Sequence, residues 1–146
     1  MRNTALQELD VLVGEWTLTM SDAWFLEERD TEVHGRAVIE WFGDAFVVMR
    51  SEMGGNPVWD LAIGRSDAHD AYTALYHDDR GTSRVFHMAF QNGCWTLLRQ
   101  DPDFHQRFVG DVGPDRIAGR WEASEDEGRT WRKDFDLVFE RLPPGQ

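Results

Sequence analysis

Arg50, Glu52, Tyr76, Arg84, Arg99, Gln106 and Lys133 each fall in step with apolar residues that alternate along short stretches of the chain. Alternate residues of a strand share one face, so these polar groups are expected on the apolar, inward side. Charges there are costly unless they are paired or reserved for a ligand. Arginine suits the second use, because its planar fork holds a carboxylate, phosphate or phenolate through two parallel hydrogen bonds. The expected chemistry is binding of a small hydrophobic or amphipathic molecule by its anionic or hydrogen-bonding head group. The same residues offer a lyase- or isomerase-type enzyme, with Tyr76 as acid and Glu52 as base beside Arg84 and Arg99. They also have a plain structural use. The arginines can pair with Glu52, Asp78, Asp79, Asp101 and Asp103, or extend outward along their apolar stems.

Positioning these groups takes strands, and the chain supplies ten. Thr4 to Val13 reads as the one helix: Thr4 and Gln7 have capping-box spacing, and Leu6, Leu9, Leu12 and Val13 make an apolar stripe that Gly14 ends. Beyond Gly14 the period changes from 3.6 to 2. Strands are predicted at Glu15–Met20, Thr31–Phe42, Ala45–Met53, Val58–Ser66, Ala71–His77, Ser83–Gln91, Cys94–Gln100, Phe104–Val112, Arg116–Ser124 and Thr130–Leu142. Between them lie Gly54-Gly55-Asn56-Pro57, Asp79-Arg80-Gly81, Asn92-Gly93, Asp101-Pro102-Asp103 and Gly113-Pro114-Asp115, all turn chemistry. Asn92-Gly93 is the strongest hairpin signal, a type I′ turn. Short connections mean an antiparallel up-and-down order, and closing it into a barrel removes the exposed edges.

The predicted inward sets are Trp16/Leu18/Met20, Ala37/Ile39/Trp41, Phe46/Val48, Trp59/Leu61/Ile63, Phe86/Met88/Phe90, Trp95/Leu97, Phe104/Phe108, Ile117/Trp121 and Phe135/Leu137/Phe139. Successive strands run oppositely, so all seven polar candidates are expected at one mouth, with Arg65 at the other end. Ser21 to Asp30 begins at that mouth and carries Trp24-Phe25-Leu26 among charges, which reads as a lid or a plug.

Composition narrows the partners. Twenty-seven acidic against 15 basic residues leave a net charge of −12, which argues against nucleic acid. Lys133 is the only lysine, and the aromatics comprise seven Trp, nine Phe and two Tyr. No stretch has the length of a membrane span and no leader pattern is visible from Met1 to Asp10. Cys94 is alone, so a reducing, cytoplasmic setting is expected. No repeat or linker interrupts the chain, so residues 1–146 are expected to be one domain. The oligomeric state is left open, a homodimer included. No cofactor or metal site is expected: the five histidines lack H-x-H spacing, no C-x-x-C exists, and His34, His77, His87 and His105 fall on outward parities.

Gly14-Glu15-Trp16 before the first strand, with Arg141 ending the last, resembles the calycin signature. The resemblance implies that Trp16 packs beneath the Arg141 side chain at the closed end. Leu12-Val13-Gly14-Glu15-Trp16, Tyr76-His77-Asp78-Asp79-Arg80-Gly81, Trp95-Thr96-Leu97-Leu98-Arg99 and Gly119-Arg120-Trp121-Glu122 look like the DUF1579 family of lipocalin-like or fatty-acid-binding-protein-like barrels. That resemblance implies the fold and no established activity. Ser124-Glu125-Asp126-Glu127-Gly128-Arg129-Thr130-Trp131 matches the Asp-box pattern and reads as a self-satisfied hairpin. Haem-binding nitrobindins are similar barrels with a late axial histidine, but no histidine follows His105 here. A barrel filled by its own aromatics, serving as an interaction module, is the remaining alternative.

Overall fold

The alternation in the sequence is realised as antiparallel strands in a computed structural model describing residues 4–26, 28, 31–54, 56–65 and 71–143, apart from the side chains of Thr4, Asn56 and Pro57. The strands are β1 (Gly14–Ser21), β2 (Val33–Phe42), β3 (Phe46–Met53), β4 (Asn56–Arg65), β5 (Tyr72–Asp78), β6 (Ser83–Gln91), β7 (Cys94–Asp101), β8 (Phe104–Val112), β9 (Arg116–Ser124) and β10 (Arg132–Arg141). Each pairs with the next, and β1 pairs with β10, so an up-and-down barrel closes without a free edge. Asn92 and Gly93 both have positive φ, 51° and 76°, as the type I′ turn between β6 and β7 requires. His69, Gly55 and the capping side chain assigned to Thr4 lie outside the described residues.

The N-terminal helix, Thr4–Leu12, is a 3₁₀ helix instead of the α-helix that the 3.6-residue reading implies. Leu6, Leu9 and Leu12 are three apart, the repeat of a 3₁₀ helix, and all three are fully buried at the end of the barrel. Val13, the fourth member of the predicted stripe, falls outside it and donates its N–H to Asp10 three residues back. The helix is tied to the barrel by the Trp41 indole N–H, which donates to Asp10 (2.8 Å), and by the Tyr72 hydroxyl, which donates to Glu8.

A clasp closes this floor. The Trp16 indole N–H donates to the Leu12 carbonyl (2.9 Å), and the Arg141 guanidinium lies 4.1 Å above the Trp16 ring. Arg141 also donates to the carbonyls of Pro114, Val13 and Val11 at 2.7, 2.7 and 2.5 Å. Gly14 makes room for it, since a Cβ there would stand 2.3 Å from Arg141 Nη1. The Gly-x-Trp and the distant arginine thus form the contact that the calycin resemblance implied.

Eight of the nine predicted inward sets face inward. The exception is Phe46/Val48: β3 turns Val47, Met49 and Ser51 to the interior instead. Lower in the barrel, Phe108 lies over Gly110 and Gly119, an adjacent cross-strand pair of β8 and β9. A Cβ on Gly119 would meet the Phe108 ring at 2.5 Å, and Trp95 and Trp121 hold that ring from either side. The ring has nowhere to go. Gly119→Ala is therefore expected to destabilise the fold by about 2 kcal/mol through overpacking, read from the urea midpoint.

Candidate functional site

Aromatic side chains fill the floor half of the barrel and leave the mouth half open as a cavity of about 900 Å³. Its base is formed by Trp59, Trp121 and Leu137, and its sides by Tyr76, Phe104 and Phe135. Trp59 and Tyr76 are stacked at 23° with centroids 6.1 Å apart, while Trp121 meets Trp59 edge-on. Trp24 and Phe25 lie over the opening, each about half exposed. The Trp24 indole N–H donates to the Asp134 carboxylate (2.9 Å), Phe25 packs edge-on against Phe135, and Arg132 lies 5.0 Å over the Trp24 ring. This strap across the start of β10 occupies the place where the sequence suggested a lid or plug.

Of the seven predicted site residues, Tyr76, Arg84 and Gln106 line the cavity together. Arg99 is inward and nearly buried, but it ion-pairs with Asp101 and Asp103 (3.1 and 3.0 Å) and donates to the Phe104 carbonyl. Its guanidinium supports the Phe104 ring from 4.4 Å. Arg50, Glu52 and Lys133 are corrections to the expected convergence. Arg50 is on the outer face and pairs with Glu40 (2.7 Å), because β3 has the opposite parity to that predicted. Glu52 stands opposite exposed Arg36 in the β2–β3 register, so it does not meet Tyr76 as the base of an acid–base pair. The buried Ser51 takes the inward place, with its hydroxyl donating to the Trp59 carbonyl (2.6 Å) at the β3–β4 bulge. Lys133 pairs with Asp22 and Asp136, which hold its pKa above the ordinary lysine value. A bulge between Lys133 and Phe135 breaks the parity there, and Arg132 and Asp134 line the cavity instead.

Asp78, expected only as a mouth carboxylate that pairs with arginine, does pair with Arg80, and its bond to Tyr76 is what the sequence reading missed. Two positions beyond Tyr76 on the same strand, its carboxylate is almost entirely buried. It accepts the Tyr76 hydroxyl (3.0 Å), the Arg80 side chain (2.6 Å) and the backbone N–H groups of Arg80 and Thr82. Burial alone would raise its pKa, but the hydrogen bonds from Arg80, Thr82 and Tyr76 prevail and hold it well below the usual carboxylate range. Burial, together with the bond to Asp78, pushes the Tyr76 hydroxyl up to about 12, so it stays protonated at neutral pH. Inward parity continuing into an Asp-x-x-Gly-type turn was the available signal.

The hairpin between β9 and β10 closes on itself as the Asp-box pattern implied. Asp126 accepts the Thr130 hydroxyl and N–H and the Ser124 hydroxyl, and these bonds keep its carboxyl well below the ordinary range. The Trp131 indole N–H donates to the Gly128 carbonyl, with Arg107 4.0 Å over the Trp131 ring. Asp78 and Asp126 therefore bind protons less readily folded than unfolded. Their contribution is complete above the ordinary carboxylate pKa and is lost as pH falls through and below it. The urea midpoint is expected to drop steadily from about pH 5 downward. Asp78→Asn should lower the midpoint at neutral pH and flatten that acid slope.

Arg84 differs from its neighbours. Arg80 is committed to Asp78, Arg132 to Glu125 and Arg99 to its two aspartates. Among the described residues no carboxylate pairs with Arg84; it donates to the Gln106 side-chain oxygen (3.1 Å) and lies 5.1 Å over Phe104 and 5.6 Å over Tyr76.

The solved structure of Rv2717c from M. tuberculosis has the same fold. It superposes with a TM-score of 0.69 at 13% identity, over 98% of this chain and all of that one. A redesigned β-barrel aligns over 98% of each chain with a TM-score of 0.45 at 11% identity. No protein-family model matches the sequence, and no curated protein matches it. No helix among the described residues is long and apolar enough to cross a membrane. Nor, among those residues, do three or more His, Cys, Asp or Glu side chains cluster to hold a metal ion.

Proposed function

We propose that this protein binds a small, largely apolar molecule in the mouth cavity and holds its anionic head group with Arg84. The observation that carries this reading is a half-buried guanidinium in an aromatic cavity with only a neutral amide as hydrogen-bond partner. A folded chain usually neutralises such a charge, as it does for Arg99 nearby. Because the Gln106 oxygen accepts from Arg84, its amide N–H groups are left to donate beside it. Tyr76 already donates to Asp78, so it contributes its ring to the wall. The cavity's volume lies within the range of small-molecule sites.

The barrel is read further as calycin-like, on the clasp between Trp16 and Arg141, and as similar to DUF1579 proteins, on motifs such as Tyr76–Gly81 and Gly119–Glu122. The setting is read as cytoplasmic on the single Cys94. Nucleic acid does not enter this reading, given the net charge of −12, nor does a membrane, given that no stretch of the sequence has the length and apolarity of a helical span. A homodimer is compatible with the apolar cross-strand row Val48, Ala62, Leu75 and Val85 on the outer face.

Native mass spectrometry of the purified protein, followed by solvent extraction, tests the binding role. The expected result is a co-purified small anion that is released on denaturation. An unliganded protein whose tryptophan fluorescence responds saturably to no amphipathic anion would overturn the reading.

A further inference from the structure

We infer that the ligand of the mouth cavity is a compact, ring-containing monoanion, and neither a long-chain fatty acid nor a multiply charged molecule; this rests on the binding role proposed for Arg84. Three observations converge on it. The first is the shape of the free space. Below Trp121 the barrel axis is filled by a continuous column of rings, Phe86, Phe108, Trp95, Phe139 and Trp16, each in contact with the next or with Trp121. Most strands give the cavity only one or two inward positions, at about 7 Å per step. The volume therefore spreads across the barrel instead of running down it. A long acyl chain would need the axial room that the ring column occupies.

The second observation is the chemistry of the walls. Trp59 and Tyr76, stacked on one another, line the cavity together with Phe104, Phe135 and Trp24. Flat faces at several inclinations suit a ring system by stacked and edge-on contacts, whereas a flexible chain gains only its area.

The third is charge. One cation, Arg84, lacks a carboxylate partner among the described residues, whereas Arg80 and Arg132 have theirs. Asp79, Asp103 and Glu125 stand on the rim. One negative charge finds Arg84 and the Gln106 amide; a second would face carboxylates without a free cation.

The test is fluorescence titration of the full chain with anilinonaphthalene sulfonate, a ring monoanion, and with phenylnaphthylamine, its uncharged counterpart. Competition by naphthoate, naphthalene disulfonate and dodecanoate follows. The sulfonate is expected to bind one per chain, about tenfold tighter than the amine. Naphthoate should displace it, and the disulfonate and dodecanoate should need at least about tenfold higher concentrations. An apolar groove on the outer face, between Phe46 and Leu75 and beside Arg50, offers the probe another seat, so each titration is repeated with Arg84→Gln. Affinity for the sulfonate that is unchanged in Arg84→Gln places the probe outside the mouth and overturns the inference. Displacement by dodecanoate at concentrations equal to naphthoate overturns the ring claim, and equal displacement by the disulfonate overturns the monoanion claim. Either result leaves the binding role standing. If none of the five compounds binds saturably, that role and the inference fall together.

Discussion

Arg141→Ala is expected to destabilise the barrel by about 3–5 kcal/mol, a large part of a total stability of roughly 5–15 kcal/mol. One guanidinium donates to three backbone carbonyls, from Val11, Val13 and Pro114, and covers the Trp16 ring. Those carbonyls belong to the stretch that runs from the 3₁₀ helix into β1 and to the turn before β9, so the side chain ties both to the end of β10. Alanine leaves the carbonyls without this donor and uncovers the Trp16 ring. Arg141→Lys keeps the charge but has no planar fork to span three acceptors, so it should recover less than half of the loss. A double-mutant cycle with Trp16→Phe isolates the ring contact, with an expected coupling of about 1 kcal/mol. Urea denaturation followed by circular dichroism gives each value. A loss below about 1 kcal/mol for Arg141→Ala would mean that the clasp does not hold the floor closed.

Why the clasp was legible when half of the mouth was not is a matter of how each is specified. Gly14, Trp16 and Arg141 match a family signature whose members a closed barrel must bring together, so the resemblance located them without any inference of strand parity. The ten strands were legible for a different reason: period-2 alternation interrupted by Asn-Gly, Asp-Pro and Gly-Pro punctuation leaves few other folds. Mouth positions depend on parity, and parity fails where the pattern is silent or the strand is irregular. Ala45-Phe46-Val47-Val48-Met49 is apolar at both parities, so the alternation carried no information about Arg50 or Glu52. What decides the matter is Ser51, whose hydroxyl bonds to the Trp59 backbone across the bulge, a long-range contact. Lys133 was misplaced by a single extra residue in β10, because each bulge reverses every inference drawn beyond it. The helix was placed correctly and its type was not, since a leucine every third residue fits a 3.6-residue face almost as well as a 3₁₀ face over nine residues.

Arg84→Gln should weaken the binding of a ring monoanion by about 10- to 100-fold, equivalent to about 1.4–2.8 kcal/mol, without lowering stability. The two halves of that expectation come from one fact. Arg84 makes a single described hydrogen bond to a protein group, the Gln106 oxygen, and otherwise rests on the faces of Phe104 and Tyr76. Removing the charge therefore breaks no ion pair among the described residues, and it relieves the cost of holding a guanidinium among aromatic rings. Arg99→Gln provides the opposite signature. Its charge neutralises Asp101 and Asp103 and its donors hold the Phe104 carbonyl, so the substitution should lower the urea midpoint. It should change anion affinity only slightly, through the altered seat of Phe104. Isothermal titration with naphthoate and urea denaturation of both variants separate the two roles. If Arg84→Gln unfolds the protein while Arg99→Gln abolishes binding, the assignment is reversed: Arg84 is then the structural cation of the mouth and Arg99 the ligand's partner. The difference lies in which arginine the acidic turn at Asp101 and Asp103 can reach, because a cation that its own chain has neutralised has little charge left to offer a ligand.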